Sequence, residues 1–272
     1  MIVLGIIGDE RVAHSLSPRM HNAVMAKHGL EGAYVRFAVK PQDMTTAVAG
    51  VGALGLAGAN VTVPHKRAVM PYLHKLSEEA AALGAVNTIK PEVGGLVGFN
   101  TDLEGFLQAL AQTGFKPDGS NALVLGAGGA ARAVVLALIR SNANVLVAAR
   151  KPAQSVALCG ELGGKGISLD QAVRALPEVH LLVNATSVSS PEESPDMMAW
   201  LEICSPAANL ALVVDINYGR RENIWKQMAQ RNRVMFMDGL PMLAHQARLS
   251  FKIWTGIDAP VDDFKAALET AS

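Results

Sequence analysis

Short apolar runs alternate with amphipathic stretches along the first hundred residues, the pattern of strands joined by helices. Ile2–Gly8 and residues 34–39 read as strands, with a helix over residues 17–28 between them. Ser17 is placed to cap that helix and Pro18 to sit in its first turn, where a missing N–H costs nothing. Residues 58–62 read as another strand, ended by Pro64, and residues 86–90 and 96–100 as a hairpin turning at Gly94-Gly95. From Thr101 the period becomes helical: Leu103, Phe106, Leu107 and Leu110 share one stripe, which stops at Gly114 and Pro117. The run Lys116-Pro117-Asp118-Gly119-Ser120-Asn121 is turn chemistry suited to a domain boundary. Beyond it, residues 122–125 form a buried strand, a glycine-rich turn follows, a helix carries Val134, Val135, Leu138 and Ile139, and residues 144–148 form a second strand. That is a βαβ unit of parallel sheet. Residues 181–183 and 212–214 supply further strands of this kind, and after Gly239 the pattern is helical, with too little sheet to stand alone.

At 272 residues the chain is long enough for two domains. Half of the residues are hydrophobic but only 5% are aromatic, so Ala, Val, Leu, Ile and Met must fill the core, as suits buried parallel strands and their helices. The 24 Lys and Arg balance the 24 Asp and Glu, which removes any general electrostatic reason to bind nucleic acid or an anionic membrane. Any anion site must be local. Cys159 and Cys204 lack disulfide or metal-ligand spacing and read as reduced thiols of a cytoplasmic protein; the seven histidines do not cluster with them, so no metal is expected. The N-terminus is apolar but too short to span a bilayer and lacks a basic leader, and no other apolar run nears the roughly 20 residues a span needs. Monomer and homodimer both fit this pattern.

Gly126-Ala127-Gly128-Gly129-Ala130-Ala131 fits G-x-G-x-x-A, placed after a strand and opening a helix, as a dinucleotide-binding loop requires. Gly126 allows the tight turn, Gly128 lets the backbone approach a pyrophosphate, and the free amides of Gly129 and Ala130 meet its charge. NAD-binding domains place a carboxylate at the end of the second strand, but here the chain reads Ala148-Ala149-Arg150-Lys151-Pro152. A guanidinium grips a 2′-phosphate, so Arg150 and Lys151 favour NADP, although they could also be a solvated strand end.

Four polar clusters adjoin the strands of the first hundred residues: His14-Ser15-Leu16-Ser17-Pro18, Asn60-Val61-Thr62-Val63-Pro64-His65-Lys66, Gly84-Ala85-Val86-Asn87-Thr88 and Asn100-Thr101-Asp102. Carbonyl reduction needs a proton donor at oxygen, and alcohol oxidation needs a base. A lysine beside a carboxylate serves both, which makes Lys66 and Asp102 the candidate pair. By spacing alone, Lys66 could equally be a surface charge and Asp102 a helix cap.

These clusters resemble the motifs of the shikimate dehydrogenase family. His14 to Asn22 is similar to H-S-x-S-P-x-x-H-N, Asn60 to Lys66 to N-V-T-x-P-x-K, Gly84 to Thr88 to G-A-V-N-T, and Asn100 to Asp102 to N-T-D. Gly126 to Ala133 is similar to G-A-G-G-A-A-R-A, and Gly239 to Ala247 to G-x-x-M-L-x-x-Q-A, so the motifs span nearly the whole chain. The resemblance implies reversible, NADPH-dependent reduction of 3-dehydroshikimate to shikimate, on the route to aromatic amino acids. It implies that Ser15 and Ser17 bind the substrate carboxylate, that Thr62, Asn87 and Gln246 hold ring hydroxyls, and that Tyr218 reaches the substrate. Thr186, Ser187, Ile216 and Gly239 would lie on the nicotinamide side. His65 and His245 adjoin motif residues and receive no role.

The implied fold is α/β: an N-terminal α/β catalytic domain of residues 1–102, completed by residues 240–272 packing back on it, and a Rossmann-type, doubly wound parallel-sheet NADP domain of residues 103–239. A substrate enclosed between the domains is expected. Four places depart from the family pattern. Gly8-Asp9-Glu10 lacks the proline of G-x-P; Val188-Ser189-Ser190 replaces x-G-M; Arg220 and Asn223 stand where a proline and a threonine are usual; and Ala149-Arg150-Lys151 replaces Asn-Arg-Thr. A quinate/shikimate or aminoshikimate dehydrogenase would keep the same Lys66 and Asp102. A non-catalytic metabolite- and nucleotide-binding regulator would be expected to lose one of them.

Overall fold

The computed structural model describes residues 1–203 and 208–269, so Cys204 lies outside the described residues. In chain order run β1 (Ile2–Gly8), α1 (Ser17–Lys27), β2 (Gly32–Ala38), α2 (Met44–Ala53), β3 (Gly58–Val61), β4 (Lys75–Leu76), α3 (Glu78–Leu83), β5 (Thr88–Glu92), β6 (Gly95–Phe99) and α4 (Asp102–Gln112). They continue as β7 (Asn121–Leu125), α5 (Gly129–Arg140), β8 (Asn144–Ala148), α6 (Pro152–Leu162), β9 (Lys165–Ile167), α7 (Leu169–Ala175), β10 (Leu181–Asn184), α8 (Pro195–Ile203), β11 (Leu212–Asp215), α9 (Ile224–Asn232), β12 (Met235–Met237), α10 (Leu240–Thr255) and α11 (Val261–Glu269). Two compact units result: Met1–Gly105 together with the segment that begins at Leu243, and Phe106–Met242. The division falls inside α4, ahead of the 116–121 turn.

The first unit holds a mixed sheet in the order β2-β1-β3-β5-β6-β4. β1 runs parallel to β2 and β3, whereas β5 is antiparallel to both β3 and β6. One aliphatic core joins Ile7, Val61 and Ile89 of the sheet to Met44, Val48 and Val51 of α2. The scarce aromatics gather elsewhere, where Tyr34, Phe251, Trp254 and Phe264 surround His21. Gly58 makes room for this cluster, since a Cβ there would lie 2.2 Å from Trp254 Nε1.

Local readings shift by a residue or two. α1 begins at Ser17 itself, so Ser17 is not its cap; Ser15 Oγ takes the Ser17 amide at 3.2 Å, and Ser17 is buried in the first turn. The second strand starts at Gly32 because Gly32 already pairs with Ile2. β5 starts at Thr88 rather than residue 86, since the Val86 and Asn87 amides turn to the Lys66 and Phe99 carbonyls, 2.8 and 3.0 Å away.

The second unit is an all-parallel, six-stranded sheet in the order β12-β11-β10-β7-β8-β9. This is the doubly wound dinucleotide-binding order, which reverses between β7 and β10. β10 and β11 are buried at every residue, which explains why they read as unbroken apolar runs rather than alternating ones. Among the described residues no helix is long and apolar enough to cross a membrane.

His21 is fully buried, its ring stacks on Tyr34 at 4.4 Å, and neither ring nitrogen has a hydrogen-bond partner among the described residues. Burial pushes its pKa down from 6.5 to about 3. The unfolded chain therefore binds a proton that the folded chain refuses, and stability present at neutral pH is lost as pH falls below about 6.5 toward 3. His21→Leu, close in volume and without a titrating group, should flatten that loss. In urea melts between about pH 6 and pH 4, the wild type is expected to lose roughly 1 kcal/mol per pH unit more than the variant; equal slopes would clear His21 of this role.

Candidate active site

Sheet topology alone brings the polar clusters of the first unit together. Ser15 and Thr62 follow the ends of the neighbouring parallel strands β1 and β3. Asn87 immediately precedes β5, which runs antiparallel to β3, and Asn100-Thr101-Asp102 follow β6, so all four clusters lie at the same end of the sheet.

Lys66 Nζ donates to Asp102 Oδ2 at 2.6 Å, and both side chains are largely buried, at 12% and 6% exposure. The other carboxylate oxygen, Oδ1, accepts from Asn87 Nδ2 at 2.9 Å. Asp102 opens α4, and its amide is held at 2.9 Å by Asn100 Oδ1, whose own amine donates to the Ala85 carbonyl at 2.9 Å. Gln246 arrives on α10, its Oε1 3.4 Å from Asn87 Nδ2 and its Nε2 tied to the Leu243 carbonyl at 2.9 Å. Gly105 permits that approach, because a Cβ there would lie 2.8 Å from the Gln246 Cβ.

Lys66, Asp102 and Asn87 are thus joined by direct hydrogen bonds, and Gln246 Oε1 stands beside the same Asn87 amine at the longer distance of 3.4 Å. Ser15, Ser17 and Thr62 stand at the same sheet end; Ser15 bonds the Ser17 amide, and the Thr62 amide bonds the Ile7 carbonyl at 2.9 Å. Sequence reasoning gave no task to Asn60, Thr88, Thr101 or Ser250, all buried and all bonded into the same network. Their signal was present as small polar residues amid apolar runs.

In the second unit the glycine loop joins β7 to α5 at the point where the strand order reverses. Gly126 has φ +111°, and a Cβ on it would lie 2.6 Å from the Ala185 carbonyl oxygen, so only glycine fits. Gly128 begins α5 with no side-chain cap, and a Cβ there would meet nothing within 4 Å. The room beside Gly128 at the helix start is what close approach of a pyrophosphate requires. Arg150 and Lys151 are exposed directly after β8, beside β7. These features fit a nucleotide carrying a 2′-phosphate.

Past β10 and β11, a buried carboxylate organises two loops. Asp215 Oδ1 accepts from Asn184 Nδ2 at 2.8 Å and from Asn217 N and Nδ2 at 3.1 and 3.0 Å, while Oδ2 accepts from Asn223 Nδ2 at 2.7 Å. Asn223 also caps α9, taking the Trp225 and Lys226 amides. Thr186 folds onto Asn184 Oδ1 at 2.7 Å, and Asn217 Nδ2 reaches the Thr186 carbonyl at 2.8 Å and Ser189 Oγ at 2.9 Å. Arg220 bonds Glu193 at 2.9 Å, and Glu193 holds the Ser189 and Ser190 amides at 2.6 and 3.0 Å. Burial pushes the Glu193 carboxyl up, but those amides and Arg220 outweigh it and hold the group below its usual range. Ser189, Arg220 and Asn223, three of the residues that depart from the family pattern, are therefore bonded into one polar clamp. Ser187 is exposed in this loop, Ile216 and Tyr218 are half-buried, and Gly239 packs under the Ile216 carbonyl, 2.1 Å from where its Cβ would be. Among the described residues no three His, Cys, Asp or Glu side chains gather as a metal would require.

A doubly wound sheet with a dinucleotide loop is the frame of nicotinamide-dependent dehydrogenases, and a buried lysine–carboxylate pair is chemistry that such an enzyme can use. Residues 6–89 match the family model for the shikimate dehydrogenase substrate binding domain, residues 109–240 that for shikimate / quinate 5-dehydrogenase, and residues 239–269 that for the shikimate 5′-dehydrogenase C-terminal domain. The chain is 43% identical over 262 residues to the shikimate dehydrogenase (NADP(+)) of Moorella thermoacetica, covering 92% of this chain and 87% of that protein. Its fold is similar to that of the shikimate dehydrogenase of Aquifex aeolicus, with a TM-score of 0.89 at 34% identity over 98% of this chain and 97% of the other. It is likewise similar to the Thermus thermophilus shikimate 5-dehydrogenase solved in complex with NADP(H) and shikimate, with a TM-score of 0.87 at 36% identity over the full length of both. The chain belongs to the shikimate dehydrogenase family.

Gly126→Ala should cost the second unit about 1–3 kcal/mol, from a strained φ and the clash with the Ala185 carbonyl. It should also weaken NADP⁺ binding in a calorimetric titration; unchanged melting and affinity would show that the loop adapts freely.

Proposed function

We propose that this chain catalyses the reversible, NADPH-dependent reduction of 3-dehydroshikimate to shikimate, with Lys66 and Asp102 handling the proton. The observation that carries the reading is the buried Lys66–Asp102 pair, 2.6 Å apart and held on its far side by Asn87.

Bound nicotinamide supplies the hydride. In the direction of reduction, Lys66 Nζ gives a proton to the oxygen that becomes the hydroxyl; in oxidation it takes that proton back. One Lys66 N–H is spent on Asp102 Oδ2, which aims the remaining donors and fixes Nζ in place. Ser15 and Ser17 would take the substrate carboxylate, and Thr62, Gln246 and Tyr218 the ring hydroxyls. Both Asn87 amine protons are already engaged, by Thr101 and Asp102, so a ring hydroxyl at Asn87 would share the proton given to Asp102. Hydroxyl and amide groups suit a polyhydroxylated acid, because a site built of them strands its own polar groups when an analogue lacks a hydroxyl. Arg150 and Lys151 would hold the 2′-phosphate of NADP. Cys159 is an unpaired thiol, in keeping with a cytoplasmic place.

A second reading, quinate as substrate, has one observation in its favour, the matched family description that names both acids. Steady-state rates for shikimate and quinate, each with NADP⁺ and NAD⁺, separate the two. Shikimate with NADP⁺ should give the highest kcat/KM; a clear preference for quinate with NAD⁺ would overturn the proposal, and no turnover at all would favour a binding protein. Lys66→Ala should lower kcat by about two to four orders of magnitude while shikimate still binds. Unchanged turnover would remove Lys66 from the chemistry.

A further inference from the structure

We propose that Ser250 is a positioning residue for this reaction: its hydroxyl closes a one-directional ring of hydrogen bonds that holds the Asn87 amide, and through it Asp102, in working orientation. The inference rests on the acid–base reading of Lys66 and Asp102. Ser250 is fully buried on α10, one turn beyond Gln246.

Proton counting sets the direction of every bond. The Thr101 backbone N–H can only donate, so the Asn87 atom it meets at 2.9 Å is the carbonyl oxygen Oδ1. The Thr88 hydroxyl spends its one proton on the same oxygen at 2.8 Å. Towards Ser250 Oγ, 2.8 Å away, Thr88 can then only accept, so Ser250 gives it its proton. Ser250 in turn accepts from Thr101 Oγ1 at 3.2 Å, and Thr101 Oγ1 accepts from Asn87 Nδ2 at 2.8 Å. The ring runs Asn87 Nδ2 to Thr101 to Ser250 to Thr88 and back to Asn87 Oδ1, each hydroxyl giving once and receiving once within it. Bonds in such a ring polarise one another and strengthen together.

The second Asn87 amine proton then falls on Asp102 Oδ1 at 2.9 Å. Asn60 Nδ2 also donates to Thr88 and to Ser250, each at 3.2 Å. Without the Ser250 hydroxyl, the buried Thr101 hydroxyl proton loses its acceptor in the ring, and Thr88 keeps Asn60 alone as donor. The ring is then open, and the two bonds that Thr88 and Thr101 make to the Asn87 amide lose the mutual polarisation that held them.

Ser250→Ala is expected to fold and to bind NADP⁺ as the wild type does, while kcat/KM for the acid substrate falls about 5- to 10-fold. Thr88→Val breaks the same ring elsewhere, so the double variant should be little worse than the poorer single one, whereas independent packing defects would multiply. The Asn87 side-chain amide protons, identified by their loss in Asn87→Asp, should exchange slowly with solvent in the wild type and faster in Ser250→Ala. That readout needs no turnover, so a wrong substrate assignment and a missing ring give different results. If Ser250→Ala does not fold, Ser250→Cys, similar in size but a weaker donor, takes its place in the same comparisons. Wild-type kcat/KM together with wild-type exchange at Asn87, or multiplying effects in the double variant, would overturn the proposal.

Discussion

A backbone N–H can only donate, and the one at Thr101 meets the Asn87 side chain 2.9 Å away. That constraint decides which face of the Asn87 amide looks at Asp102, and so whether the carboxylate is met by a proton or by another oxygen. With the amine facing it, Asp102 is held on one oxygen by Asn87 and presents the other to Lys66. With the amide reversed, oxygen would oppose oxygen between two buried side chains, where such errors are costly. Three consecutive residues divide the work: Asn100 fixes the Asp102 amide, Thr101 fixes Asn87, and Asp102 fixes Lys66.

The second unit solves a related problem with a buried carboxylate that has no ion-pair partner among the described residues. Asp215 is satisfied by three asparagine side chains and one backbone amide, which lets it pin the loops after β10 and β11 without an ion pair. Where the family pattern has a stiff proline, this chain has Arg220, and rigidity comes instead from the Arg220–Glu193 bond and the two amides Glu193 holds. A polar tether of this kind depends on charge, which proline does not.

Much of this was legible because periodicity and glycine placement report backbone demands directly. β1 and β8 fall where the apolar runs put them, and the glycine loop sits between β7 and α5 as its spacing requires. The shorter strands β4, β9 and β12, of two or three residues each, are set by pairing with neighbours and leave little local pattern. Ser17 looked like a cap because serine is favoured just before a helix; the helix begins at Ser17 itself, so the cap position falls to Leu16, which makes no side-chain cap bond, while Ser15 Oγ takes the Ser17 amide. Lys66 and Asp102 were legible as motif members, but the bond from Asn87 to Asp102 and the hydroxyls behind it are a property of three-dimensional pairing. Nothing in the spacing of residues 60, 88, 101 and 250 announces that they meet.

The same limit explains why one motif does two jobs. Ser15 and Ser17 stand at the sheet end that carries Lys66 and Asp102, whereas His21 and Asn22, a few residues on, hold Tyr34. Asn22 clamps the Tyr34 backbone through both amide atoms, at 2.7 and 3.0 Å, and His21 stacks on the Tyr34 ring. The Tyr34 hydroxyl then holds Asn60 at 2.6 Å, and Asn60 holds the Asn87 carbonyl at 3.0 Å. A proton forced onto His21 would find no acceptor and would charge a ring packed among aromatics. Acid that charges His21 therefore acts on the ring stacked against Tyr34, and Tyr34 leads by two hydrogen bonds through Asn60 to Asn87, so the low-pH tolerance of this unit and the order around Asn87 share one line of contacts.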